Sequence, residues 1–321
     1  MSDTRFIVTG GAGFIGRNLV AALNARGHKN IVIADSLNHP EKQKNLDSVD
    51  YAEFLDKEEF RTRFLSGKEA PATTVFHLGA CSSTTETDPQ YLNDNNLLYT
   101  QQLCEWSLSQ GARFIHASSA ATYGDGSLGY DDDEALTPKL KPLNLYGKSK
   151  QDFDIWAMER GLHSKIVGLK YFNVYGPFEN HKGDMRSVVN KAYLQILDSG
   201  KLALFRSHQA GYEDGRQERD FIYVKDAVAV TLFFHDHPEV SGLFNCGTGV
   251  ARSWLDLAHA IFAAMGKEPQ IEFIDMPLSI RDKYQYHTQA NPTKLRSAGY
   301  TAEFTSIEAG VRDYVQNYLA K

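Results

Sequence analysis

Apolar and polar positions change period along the first half of the chain. "FIVT" (residues 6–9) begins as an apolar, β-branched run and reads as a strand. Gly10, Gly13 and Gly16 follow. "RNLVAALNARG" then places Leu19, Ala22 and Leu23 at helical spacing until Gly27 stops it. A second strand, "NIVIAD", ends at Asp35, and "TTVFHLGACSS" (73–83) and "ARFIHASSAATYG" (112–124) read as further strands ending in small polar residues. Between them, residues 93–110 read as a helix. This alternation predicts an α/β chain with a Rossmann-type doubly wound parallel sheet, whose ligands sit at the strand C-termini. Beyond residue 175 the alternation fades, which predicts a smaller α/β substrate lobe. The expected division gives residues 1–174, with about 219–245 crossing back, to the nucleotide-binding domain, and 175–218 and 246–321 to the substrate domain.

Length agrees with two lobes, since 321 residues approach the upper limit of a single core. A net charge of −6 argues against nucleic-acid binding, which needs clustered basic surface. Cys81, Cys104 and Cys246 are too far apart for a disulfide framework or a metal site, and no apolar segment suggests secretion or membrane insertion. A reducing cytoplasm is the expected home. The acidic run 131–134 reads as a solvated loop, and no metal is expected.

The glycines lie where a backbone must turn tightly and approach a pyrophosphate at a helix N-terminus. Asp35, about 20 residues on, is at the position of the ribose-binding acid. An Asp there favours NAD, because a carboxylate repels a 2′-phosphate. Ser36, Lys42 and Lys57 follow closely, and either lysine can neutralise that phosphate, so NAD and NADP both remain open. Ser119, Tyr146 and Lys150 have the order and Tyr-x-x-x-Lys spacing of a hydride-transfer site, with Lys150 beside Tyr146 on one helical face. A phenol titrates about three units too high for a base at neutral pH, and lowering it takes roughly 4 kcal/mol. A cationic lysine and an oxidised nicotinamide are the expected sources.

"TGGAGFIG", "SSAATYG" and "YGKSK" resemble the extended short-chain dehydrogenase/reductase superfamily, which acts largely on nucleotide sugars; "RDFIYVKDAV" and "FNCGTG" fit its second half. "HLGACSSTTE", "DNN", "KPLNLYGKSK", "YFNVYGPFENHKGDM" and "YQYHTQA" look like its ADP-heptose 6-epimerase branch, nearly end to end. That resemblance implies an isomerase with tightly bound NADP, acting on an ADP-heptose for a lipopolysaccharide core, and a homo-oligomer, a pentamer in the family. It implies that Phe14, Ile15, Leu78, Gly79, Ala80, Cys81, Ser82, Asn95, Lys150, Val174 and Lys182 join the glycines, Asp35, Ser36, Lys42 and Lys57 around the cofactor. It places Asn173, Asp184, Lys191, Phe205, Arg206, Ser207, His208, Arg219 and Tyr284 at the substrate.

Inverting C6 requires hydride to leave one face and return to the other, so the C6 oxygen points to a different wall in each epimer. One tyrosine cannot reach both, because a proton donor must lie within hydrogen-bond distance of its oxygen. Lys182 is the candidate second base, the role the resemblance implies; a phosphate-binding lysine is the alternative. To act as a base it needs a depressed pKa. Nucleotide-sugar 4,6-dehydratases carry an Asp-Glu pair directly after the hydroxyl residue, where this chain has Ala120 and Ala121. A 4-epimerase working with one tyrosine, and a non-catalytic cofactor sensor, are the other readings. Arg219 suits a diphosphate through bidentate contacts; its alternative is an ion pair with Asp220. Asp184 stands where the family often has Ser, and 209–218 is expected to be a mobile flap.

Overall fold

The computed structural model describes residues 4–281 and 284–321. Its strands run, in order, β1 (Phe6–Thr9), β2 (Ile31–Asp35), β3 (Glu53–Asp56), β4 (Thr74–His77), β5 (Arg113–Ser119) and β6 (Val167–Tyr171). They continue as β7 (Asn173–Tyr175), β8 (Leu202–Phe205), β9 (Glu218–Tyr223), β10 (Gly242–Cys246), β11 (Ala251–Ser253) and β12 (Ile271–Ile274). Seven form one sheet in the order β10-β6-β5-β4-β1-β2-β3, every pair parallel. The order reverses between β1 and β4, and such a switch point opens a crevice at the strand C-termini. β1, β2, β4, β6 and β10 are buried along their whole length, which is why most of their residues are apolar.

Helix Phe14–Ala25 buries Leu19, Val20 and Leu23 against this sheet. The helix expected over 93–110 is broken by a π-helical turn, Asn93–Leu98, before Tyr99–Ser109. Such turns frequently mark functional sites. Here the turn lets Asn96 hydrogen-bond both the N–H and the carbonyl of Cys81, at 2.9 Å each, and the Ser149 hydroxyl at 3.0 Å.

A second core gathers Tyr175, Val189, Ile196, Leu204, Leu257, Ile261 and Val311. The chain crosses between the cores more often than the expected division allows. β9 pairs with β7 and β11 in a three-stranded sheet rather than joining the large one, while Leu295 and Tyr300 pack in the first core. The acidic run is not simply solvated. Asp132 is 3% exposed and accepts from the Asn245 backbone, and Glu134 accepts from the Leu243 backbone and pairs with Lys294, so both carboxylates hold β10 in place. Among the described residues no group of His, Cys, Asp or Glu is arranged to hold a metal, and no helix is long and apolar enough to cross a membrane.

His77 is sealed between the hydroxyls of Thr9 and Thr100, and His116 lies against the Phe153 ring. Burial first, then the Lys150 charge, holds both imidazoles well below their usual value. They are uncharged in the folded chain but accept protons near pH 6.5 when unfolded, so acid favours unfolding. Their contribution is complete above about pH 6.5 and is lost as pH falls below it. Stability is expected to drop by about 1.5 kcal/mol between pH 7.5 and 6.0. Urea midpoints at the two pH values test this, and an unchanged midpoint contradicts it.

Candidate functional site

The switch point carries a cleft of about 560 Å³. Its floor is two backbones in close approach. Gly10 has φ +69°, and a β-carbon there would lie 2.7 Å from the Gly79 nitrogen. A β-carbon on Gly16 would lie 2.2 Å from the Gly10 carbonyl, so the helix can start this close to β1 only with glycine. That helix is N-capped by Gly13 with no side-chain cap, and its first turn has no acid. Its free N–H groups and positive dipole end therefore face the cleft.

At the end of β2, Asp35 accepts from the Ala12 and Ser36 backbones at 3.0 and 2.7 Å and from Lys42 Nζ at 2.7 Å. The carboxylate thus locks the glycine loop, and Lys42 neutralises it. Lys57 Nζ donates to Asn95 Oδ1 at 2.6 Å. Every residue expected at the cofactor lines this cleft: Gly10, Gly13, Phe14, Ile15, Gly16, Asp35, Ser36, Lys42, Lys57, Leu78, Gly79, Ala80, Cys81, Ser82, Asn95, Lys150, Val174 and Lys182. An uncapped helix start, a floor without side chains and an acid at the end of β2 fit the diphosphate and ribose of a dinucleotide.

Ser119, Tyr146, Lys150 and Lys182 share the same cleft. Ser119 ends β5, and its Oγ accepts from the Ala121 N–H at 3.1 Å. Tyr146 and Lys150 lie on helix Leu145–Glu159, whose start is fixed by Asn144 accepting from the Gly147 N–H. Burial raises the Tyr146 phenol, and a hydrogen bond with Ser119 opposes it. The lowered phenol expected from sequence is therefore not produced by the chain's own groups. Lys150 is pushed down to about 8 by burial, with Asp154, one helical turn on, pulling it back up. Asp154 itself accepts from Ser118 Oγ at 2.6 Å and from Lys170 Nζ at 3.1 Å.

Lys182 comes from a different element, the short 3₁₀ turn Asn180–Met185. Its Nζ stands 5.2 Å over the Phe14 ring. Burial lowers its pKa and Lys191 adds to this, while Glu179 opposes them. The approach to the turn is strained: Phe178 has φ +74°, a conformation side chains rarely adopt. Neighbours hold it there. Arg17 stacks 3.4 Å over its ring, and Asn45 donates to its carbonyl at 3.2 Å. Glu179, fully buried, accepts from the Ser187 N–H and hydroxyl and from Tyr314.

The nine expected substrate residues do not line this cleft. Three gather elsewhere. The Arg219 guanidinium lies 5.1 Å over Tyr284 and 5.6 Å over Trp254, and Phe205 packs edge-on to Tyr284. The alternative ion pair with Asp220 is absent, because successive strand residues face opposite ways. Asp220 instead accepts from Thr248, Gly249 and Ala290, whereas Arg219 donates to the Glu218 and Gln285 carbonyls. Lys191 donates to the Asp184 carbonyl, both side chains being exposed. Asn173 is exposed on β7. Arg206 faces Asp214 and Asp275, Ser207 donates its N–H to Asp214, and His208 Nε2 accepts from the Met276 N–H.

The supposed flap is tethered. Tyr212 packs tilted against Tyr286, Gly215 accepts from the Leu255 N–H, and Gln217 accepts from the Trp254 N–H. Sequence reasoning missed several cleft residues, among them Asn38, Ser83, Tyr91, His181 and Met185. Of these only His181 had a signal, its place beside Lys182 in "HKG".

Residues 6–247 match the family described as "NAD dependent epimerase/dehydratase family". The chain is 54% identical over 317 residues to an ADP-L-glycero-D-manno-heptose-6-epimerase of Nitratidesulfovibrio vulgaris, covering 98% of each. It is similar to the crystal structure of the Helicobacter pylori enzyme of that name (TM-score 0.81, 26% identity, 99% of this chain and 97% of the other). It is also similar to a Thermus thermophilus UDP-glucose 4-epimerase in complex with NAD (TM-score 0.75, 27% identity, 97% and 98%).

Proposed function

The chain belongs to the NAD dependent epimerase/dehydratase family, and from that premise we propose that it inverts C6 of an ADP-heptose. It interconverts ADP-D-glycero-D-manno-heptose and ADP-L-glycero-D-manno-heptose. The observation that carries this is a cleft with two proton-handling side chains, Tyr146 and Lys182, supplied by separate elements. Bound nicotinamide supplies the acceptor, and later the donor, of the C6 hydride. Tyr146 serves the C6 oxygen of one epimer, with Ser119 holding that oxygen and Lys150 holding positive charge one helical turn away. Lys182 serves the oxygen when the tail of the sugar has turned over. Its pKa, lowered by burial, makes its proton easier to give up than that of an ordinary lysine.

We assign NADP as the cofactor. Lys42 cancels the charge of Asp35, and with Lys57 and Ser36 it offers a 2′-phosphate a cationic and hydrogen-bonding rim. The Arg219 guanidinium, buried without a carboxylate partner among the described residues, suits the substrate diphosphate, with Phe205 and Tyr284 beside it. Asn173, Asp184, Lys191 and 206–208 would line the path between the two sites. The two lobes divide the work: the seven-stranded sheet holds the dinucleotide, the second core the sugar nucleotide. Cytoplasmic location and assembly with copies of itself complete the reading; exposed Leu194, Leu197 and Leu278 are apolar surface such an assembly would cover.

Incubating the purified protein with ADP-D-glycero-D-manno-heptose or with UDP-galactose tests the proposal. Only the heptose is expected to be epimerised, and the nucleotide released on denaturation is expected to be NADP. Turnover of UDP-galactose alone would make it a 4-epimerase.

A further inference from the structure

The turn Asn180–Met185 sets two side chains next to each other, and the reading above uses only Lys182. His181 also lines the cleft. Its Nε2 lies 3.9 Å from where a β-carbon on Gly13 would stand, so this nitrogen hangs over the uncapped start of helix Phe14–Ala25. Asn45 lies beside the other ring nitrogen. Its Nδ2 donates to the Ala12 carbonyl at 2.9 Å and the Phe178 carbonyl at 3.2 Å, which identifies that atom as the amide nitrogen. The same Nδ2 lies 3.5 Å from His181 Nδ1. Both hydrogens of that amide are already given to the two carbonyls, so it only touches Nδ1 and leaves Nε2 as the ring nitrogen turned to the cleft. Burial, with Lys42 and Lys182 nearby, pushes the imidazole down to about 4, so near neutrality it carries a single hydrogen.

We infer that His181 is a phosphate-binding residue of the dinucleotide cradle, its Nε2–H donating to a phosphate oxygen of the bound cofactor. This rests on the nicotinamide-dinucleotide reading of the cleft and not on the choice of sugar. The helix start and its backbone donors are rigid parts of the large sheet's lobe. His181 reaches the same place from a turn about 165 residues later, and so adds a side-chain donor to those backbone groups. Because Lys182 is its neighbour in one short turn, the contact also ties the position of Lys182 to cofactor occupancy. Two phosphates share this chemistry. Gly13 lies on the diphosphate side, and Lys42, on the helix that carries Asn45, lies towards a 2′-phosphate.

The test is calorimetric titration of the nucleotide-stripped protein with NADP and with NAD, without sugar. His181→Ala is expected to weaken NADP binding at least about tenfold, the scale of one hydrogen bond to a charged group. His181→Phe, which fills the same space without a donor, is expected to weaken it equally. His181→Gln, whose amide can donate from nearby, is expected to regain most of the loss. An unfolding midpoint for each variant controls for the fold. Loss with both dinucleotides puts the contact on the diphosphate, and loss with NADP alone puts it on the 2′-phosphate; either supports the assignment. Wild-type affinity in His181→Phe overturns it and reduces His181 to packing. A wild-type chain that bound neither dinucleotide would sink the cofactor reading as well, whereas failure to epimerise ADP-heptose would leave this contact standing.

Discussion

Replacing Lys182 by alanine is expected to slow ADP-heptose epimerisation by at least about a hundredfold, with the loss in kcat and KM little changed. The surroundings of Lys182 explain why chemistry rather than binding should suffer. Its ammonium rests over the Phe14 ring, in a cleft whose burial disfavours its charge, and the second cation, Lys191, pushes in the same direction. Glu179 moderates this, but its oxygens are already occupied by Ser187 and Tyr314. A lysine so placed gives up its proton more easily than a surface lysine, which a base needs and a phosphate clamp does not. Steady-state rates with the heptose substrate decide between them. If KM alone rises and kcat is kept, Lys182 grips a phosphate, and the two-base scheme fails.

Tyr146→Phe is expected to cost at least as much, about a hundredfold or more, in both directions of the reaction. On the two-base scheme each turnover needs the C6 oxygen served on both walls, so removing either group slows the whole conversion. The variant keeps the ring and loses only the hydroxyl that meets Ser119, so cofactor affinity and unfolding midpoint should stay at wild-type values. The phenol is raised by burial, while Lys150 titrates near 8 and is mostly charged at neutral pH. The downward pull that Tyr146 requires must therefore be completed by charge outside the chain, which the oxidised ring can bring. A Tyr146→Phe protein that epimerised at the wild-type rate would remove the phenol from the mechanism.

What was legible in the sequence was what local spacing encodes. The glycine loop and Asp35 sit at strand ends leading into helices, and the Tyr146–Lys150 pair lies on one helix, so their geometry follows from the elements that carry them. Lys182 was reached differently, from a motif and an argument about faces, and the fold delivers it to the same cleft from a turn beyond β7. The second site resisted because its members meet only through tertiary structure. Arg219 and Asp220 are neighbours in sequence but face opposite sides of β9, and the acids of 131–134 become anchors only once β10 lies beside them. The π turn at 93–98 was invisible for a similar reason: the bonds it lets Asn96 make reach Cys81 and Ser149, 15 and 53 residues away.

One residue, Phe172, separates β6 of the large sheet from β7 of the small one, and β9 and β11 are stitched to β7 in turn. The link itself is pinned, the Phe172 N–H donating to the Cys246 carbonyl at 3.0 Å, so little slack lies between the two sheets. On the two-base scheme the turning is then left to the guest, and room for a rotating two-carbon tail becomes what the cleft must provide.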